Sequence, residues 1–195
     1  MTGSFLENPA MTPRVQALYD EDTAADGYVS NSTQLWAYQP DTTDRLSDLM
    51  TEALAPAGLS FRQRGIIIAA AVSTLGDSCC SLAWGGKLAD AADTDVAAGV
   101  LAGHDTGLTE QEAVLASWAR QVVQDPNATT AADVQKLRDV GLSDPQIFAV
   151  TLFVSLRLAF STVNDALGVH PEPELVASLP SDVVTTVNYG RPPRA

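Results

Sequence analysis

Residues 60–91, SFRQRGIIIAAAVSTLGDSCCSLAWGGKLADA, decide the fold. Ser60 with Gln63 three places on has the form of a capping box, in which the two residues exchange side-chain and backbone hydrogen bonds where a helix starts. The run from Gly65 to Leu75 then puts apolar residues on every side, which predicts a central, buried helix. Its three consecutive isoleucines would also suit a strand, but no alternating partner strand lies nearby. Gly76-Asp77 interrupts the run, and Asp77 or Ser78 caps a second helix reaching to about Ala91.

Outward from this pair the punctuation stays helical. Upstream, Leu46, Leu49, Met50, Ala53 and Leu54 form one stripe, stopped by Pro56 and Gly58. Downstream, Thr109 with Glu112 is a second capping box, and Leu115, Trp118, Ala119 and Val122 follow it as a stripe that Asp125-Pro126-Asn127 ends. Thr130 caps a short helix carrying Val134, Leu137 and Val140, which Gly141 closes. Ser143 with Gln146 opens the last long helix, and Gly168 closes it. No stretch alternates long enough for a sheet, so the expected fold is all-α, in a single domain spanning 1–195. Within it, 1–40 reads as an N-terminal arm with a possible helix at Arg14 to Ala25, and 41–170 as the helical core. The proline-rich 171–195, with a Val183-Val184 pair, reads as a C-terminal arm. Both arms are expected to lie on the body or on a neighbouring subunit, with a frayed end after Tyr189.

Composition narrows the function classes. The chain has 195 residues, 46% hydrophobic and 18% charged, enough for a sizeable core. Its 11 basic and 24 acidic residues give a net charge of −13, with a pI near 4.2. Such a balance repels phosphate backbones and anionic lipid, so no nucleic-acid and no membrane partner is expected. The start, MTGSFLENPA, has neither a basic nor an apolar signal region, and the greasy stretch Ile147 to Val163 contains Arg157, so a cytoplasmic protein is expected. Adjacent Cys79 and Cys80 rule out an ordinary disulfide framework and a cysteine-based zinc site, and no cofactor or metal is called for. The chain lacks a Walker sequence, a dinucleotide fingerprint after a strand, and an H-E-x-x-H.

Chemistry is best sought at Asp77-Ser78-Cys79-Cys80. A cysteine in the first turn of a helix meets the positive end of the dipole and free N–H groups, which favour the nucleophilic thiolate. Asp77, about one turn away, pushes the other way. The alternative is that Asp77 is an N-cap and both cysteines are small core hydrophobes. His104-Asp105 reads as a base–orienter pair or as a solvated loop. His170 follows the Gly168 stop. Arg157 must find a carboxylate, a bound anion or an exit to water. Trp36, Tyr38 and Trp84 read as core or interface aromatics.

The order of these features resembles the alkylhydroperoxidase AhpD-like, or carboxymuconolactone decarboxylase, superfamily, in its peroxidase-related branch. The stretches that carry the resemblance are ALYDEDTAADGYVSNSTQLWAYQP at 17–40, RGIIIAAAVSTLGDSCCSLAWGGKLA at 64–89, LTEQEAVLASWARQVVQDPNATTAADVQKLRDVGLSDPQIF at 108–148 and NDALGV at 164–169. The resemblance implies an all-α fold and a homo-oligomer. Its active-site motif is a glutamate, a Cys-x-x-Cys twelve residues on, and a histidine four positions after the second cysteine. With Cys80 in the second cysteine's place, Asp77 replaces the first, Gly65 the glutamate and Trp84 the histidine, while Cys79 falls between. Starting from Cys79 instead puts Leu82 and Gly86 at the later positions, which is no better.

In the family the thiolate attacks a peroxide bond, a partner cysteine resolves the sulfenic acid, and the glutamate and histidine relay protons. Asp77 cannot form that disulfide and Trp84 cannot shuttle a proton. The resemblance therefore implies a degenerate site: catalytic Cys80 and Asp77, a pocket of Gly65, Cys79 and Trp84, and at best a weak one-cysteine thiol peroxidase acting on a small hydroperoxide. The alternatives are an acid–base enzyme on a small organic acid, with Asp77 as base and Arg157 as anion clamp, or a non-catalytic oligomeric binding protein.

Overall fold

The computed structural model describes residues 3–193, and among these there is no strand. Chain order gives α1 Pro13–Asp26, α2 Asn31–Trp36, α3 Pro40–Leu54, α4 Phe61–Leu75, α5 Ser78–Ala91, α6 Thr94–Leu101 and α7 Glu110–Gln124. There follow α8 Ala131–Asp139, α9 Asp144–Ala166, α10 Pro173–Ser178 and α11 Ser181–Thr186. The all-α expectation holds, and the capping boxes sit where the sequence puts them. Gln63 N–H donates to Ser60 Oγ at 3.2 Å while Gln63 Oε1 accepts from Ser60 N at 2.9 Å. Thr109 and Glu112 repeat the exchange.

Helix α4 is the axis of the molecule. Every residue from Gly65 to Val72 is buried, because α5, α6, α7 and α9 pack around it. This is the packing demanded by a helix that is apolar on all sides. The fully buried Ile66, Ile67, Ile68, Leu88, Leu115, Val150 and Phe153 belong to one continuous core. Helix α9, 23 residues with a window of mean hydropathy 1.6, is long and apolar enough to cross a membrane by length and composition. Here it turns Val150, Phe153, Val154 and Arg157 inward and leaves Phe148 70% exposed.

The arms lie on the body. Leu167 O accepts from Phe5 N at 2.8 Å, and Gly3 O from His170 N at 3.2 Å. The C-terminal arm docks on α5, where Gly85-Gly86 presents bare backbone. A Cβ at Gly86 would stand 2.3 Å from Leu179, and one at Gly85 would stand 2.8 Å from both Leu101 and Val183. Val183 is consequently fully buried and joins the main core. The fraying expected after Tyr189 does not occur before Pro193. Ser78 Oγ donates to Arg191 O at 2.7 Å and accepts from Arg191 N at 3.0 Å, and Pro192 O lies 2.9 Å from His170 Nδ1. Gly190 makes this possible: its φ is +69°, and a Cβ there would lie 2.5 Å from Gly76 O. The seven-residue stretch from Val187 to Pro193 thus closes over the start of α5.

Candidate functional site

Cys80 lies in the first turn of α5 because Asp77 is the N-cap. Asp77 Oδ1 accepts from Cys80 N at 2.9 Å, which is the local role that its extended backbone and short side chain suit it for. The helix start is not open to solvent. Asp77 and Ser81 are fully buried and Cys80 is 6% exposed. Tyr189 of the C-terminal stretch donates its hydroxyl to Ser81 Oγ at 3.0 Å.

Across from Cys80 stands α9. Arg157, 8% exposed, donates from Nη2 to Cys80 Sγ at 3.6 Å. Among the described residues no carboxylate lies within ion-pair distance of it; its Cζ instead stands 5.0 Å from the Phe160 ring centroid and 5.8 Å from that of Trp84. Ser161, one turn on, is fully buried and close enough to the sulfur to favour its ionised form. Burial first, and the Asp77 charge second, nevertheless push the Cys80 thiol up to about 12, against the pull of Arg157 and Ser161. The contest between helix start and aspartate is decided by desolvation: at neutral pH the sulfur is a thiol.

Cys79 takes a separate direction, a consequence of the roughly 100° turn per residue in a helix. It packs with Leu35 and Val169 beneath the N-terminal arm. Burial, then the neighbourhood of Cys80 and Glu172, raise its thiol well above the ordinary value. Both cysteines are free. Gly65 abuts Leu88, whose Cδ1 would lie 3.3 Å from a Cβ at 65. Trp84, one turn after Cys80, is half-buried and lines a cleft of about 540 Å3 with Phe61, Arg64, Lys87, Asp90 and Ala91. So Asp77, Cys80 and Trp84 share one side of α5 with Arg157. Gly65 sits against the middle of the same helix, and Cys79 faces away.

The remaining polar residues fall into place around this. His104 is exposed and Asp105 pairs with Arg120 at 2.8 Å instead, so no base–orienter pair forms in that loop. Trp36 stacks on Phe160, centroids 5.0 Å apart, and donates to Asn164 Oδ1 at 2.8 Å. Buried polar side-chain atoms without a hydrogen-bond partner include Asp77 Oδ2, Arg157 Nε, Asn164 Nδ2 and Arg64 Nε in this region, and Arg120 Nε outside it. Native interiors leave few such atoms, and a concentration of them marks a place where water or a ligand completes the structure. Arg64, Phe61 and Lys87 were not singled out from sequence. For Arg64 the signal was available, since a charge at the head of an all-round apolar helix needs a reason to be there.

No family model matches the chain, and no curated protein matches it. Solved structures do. The alkylhydroperoxidase AhpD core structure of an uncharacterized peroxidase-related protein from Ralstonia eutropha JMP134 is similar at a TM-score of 0.76 and 19% identity, over 88% of this chain and 94% of that one. An uncharacterized peroxidase-related protein from Silicibacter sp. TM1040 is similar at 0.76 and 17%, over 90% and 95%. The chain therefore has the AhpD-like helical fold of peroxidase-related proteins. At these identities the likeness is one of fold.

Proposed function

We propose that this is a peroxidase-related protein with a degenerate redox site, in which Cys80 is at most a slow, one-cysteine thiol peroxidase. The observation that supports it is the state of Cys80. A thiol with a pKa of about 12 is ionised in about one molecule in 10⁵ at pH 7. Asp77, in the place the resemblance gives to a resolving cysteine, supplies no second sulfur. Trp84, in the histidine's place, carries no proton relay, and general acid–base help is typically worth about 10² to 10⁴ in rate. The acid–base reading on an organic acid has less support. Its base would be Asp77, which is fully buried with one oxygen committed to the helix cap.

Sulfenic-acid trapping after treatment with an alkyl hydroperoxide, read by mass spectrometry, tests the proposal. The expected result is slow adduct formation on Cys80, at most one per chain, that Cys80→Ser abolishes. Rapid multiple-turnover peroxide consumption, or consumption undiminished in Cys80→Ser, would overturn it.

The same proposal includes the self-association that the resemblance implies, and the outer face of α9 is the surface offered for it, since Phe148 and Val163 there and Leu49 on α3 are large apolar side chains left exposed. Light scattering should show an oligomer that Phe148→Asp dissociates.

A further inference from the structure

From the cations around Trp84 we infer a binding site for a small organic anion with a flat apolar body, in the cleft between α4 and α5. Three basic groups converge on this one indole. Lys87 Nζ is 5.1 Å from the ring centroid, Arg64 Cζ 5.4 Å and Arg157 Cζ 5.8 Å. Elsewhere among the described residues, Arg14, Arg62, Arg120, Lys136, Arg138 and Arg191 each pair with a carboxylate. Arg45 apart, these three are the described Lys and Arg residues without such a pair. Scarcity does not explain it, because acidic residues outnumber basic ones 24 to 11.

Attraction to one ring offsets part of the mutual repulsion, about 0.5–2 kcal/mol per cation. Apart from the Arg157 Nη2 bond to Cys80, it leaves guanidinium N–H donors over. Arg157 Nε and Arg64 Nε are buried and unpartnered, although guanidinium groups are built to grip a carboxylate with two parallel hydrogen bonds. Desolvation, and then Arg157, hold the Arg64 guanidinium below its ordinary pKa, the mark of a cation short of a counter-charge. An anion entering the cleft, which Arg64 lines, would relieve both defects at Arg64, while Arg157 behind it adds charge only.

The cleft defines the rest of the ligand. Its volume of about 540 Å3 falls within the usual range for small-molecule sites, about 300–1,000 Å3. Phe61 and Trp84 form its apolar wall, ring centroids 6.2 Å apart and inclined at 34°, a surface for a planar hydrocarbon body. Arg64 and Lys87 stand at the same wall with their charges available. Asp90 also lines the cleft, opposing a second negative charge there and favouring a monoanion. The inference rests on the anion-clamp half of the organic-acid reading, and it requires no reaction and no part of Cys80 chemistry.

Titration of the full-length protein with benzoate, followed by tryptophan fluorescence and by thermal unfolding, tests it. Benzoate should quench saturably and raise the melting temperature. Benzamide, the neutral isostere, should bind at least about tenfold more weakly, because it offers no charge to the guanidinium groups. Acetate should bind more weakly than benzoate for want of the ring. Arg64→Gln should weaken benzoate about tenfold and the exposed Lys87→Gln about threefold, with unchanged circular dichroism; should Arg64→Gln fail to fold, Lys87→Gln carries the test. Rising salt should weaken benzoate but not benzamide. Equal binding of benzoate and benzamide, no saturation by benzoate, or parental affinity in both variants would overturn the inference. Parental benzoate affinity in Asp77→Asn would uphold the inference independently of the acid–base reading, whose base that variant removes.

Discussion

The two ends of α5 are built on opposite plans. The first turn, Asp77 to Ser81, is closed: its cap, its serine hydroxyls and its sulfur are all engaged by neighbours, and the C-terminal stretch from Val187 to Pro193 lies across it. One turn further on, Trp84 and Lys87 open onto a cleft where charge is left over. A helix start is a ready anion site, yet here it is filled by the protein's own aspartate, and the unused positive charge has been gathered at side chains instead. The difference teaches where to look for activity in this molecule. The sulfur is protected, and the charges of Arg64 and Lys87 are available.

The comparison breaks most directly if the closure is removed. Gly190→Val places a Cβ against Gly76 O at a positive φ and should dislodge the stretch that covers the α5 start. Alkylation of Cys80 by iodoacetamide, read by mass spectrometry, should accelerate about tenfold or more, because the rate then follows a more populated open state. Benzoate binding at the other end should not change. An unaltered alkylation rate would show that side-chain packing, not the C-terminal stretch, is the seal.

Asp77 separates cap from charge. Asp77→Ala should cost about 1 kcal/mol in a denaturant titration, the usual loss of an N-cap. Asp77→Asn retains the capping oxygen and removes the negative charge that raises the Cys80 thiol. Its pH–alkylation profile should shift to lower pH, while burial, the larger cause, keeps the midpoint above that of a free cysteine.

Asp165 gives the smallest effect and the finest test. Burial first, then Asp77, raise its carboxyl to about 6, while Arg191 at 3.9 Å pulls it down. A folded pKa above the unfolded one means the contribution to stability is fully present below about pH 4 and is lost as pH rises through 6. Asp165→Asn should therefore melt like the parent at pH 4 and above it, by about 2 °C, at pH 7.5. A constant difference across that range would mean Asp165 is not strained by its surroundings.

Much of the fold was legible because its helices carry their own boundaries. Capping boxes at Ser60 and Thr109, the Gly76 and Gly141 stops and the apolar run of α4 are local signals, each read from a few neighbouring residues. Helix α6, Thr94–Leu101, and the short α10 and α11 were not read, since eight residues or fewer give too little periodicity. The docking of Val183 on Gly85 was beyond a local reading, because a glycine's value as a bare landing place depends on what arrives. The candidate site divides in the same way. Asp77 as cap and Arg157 as an anomalous charge come from the sequence. Their meeting around Cys80, 77 residues before Arg157, depends on how α5 and α9 both pack on α4.

Gly65 carries a last consequence. Any side chain there presses on Leu88, which touches the space at 3.3 Å, and Leu88 itself is sealed in the core. Installing glutamate at 65 would thus demand a compensating retreat at 88, so in the engineer's workshop the two positions would have to be changed together.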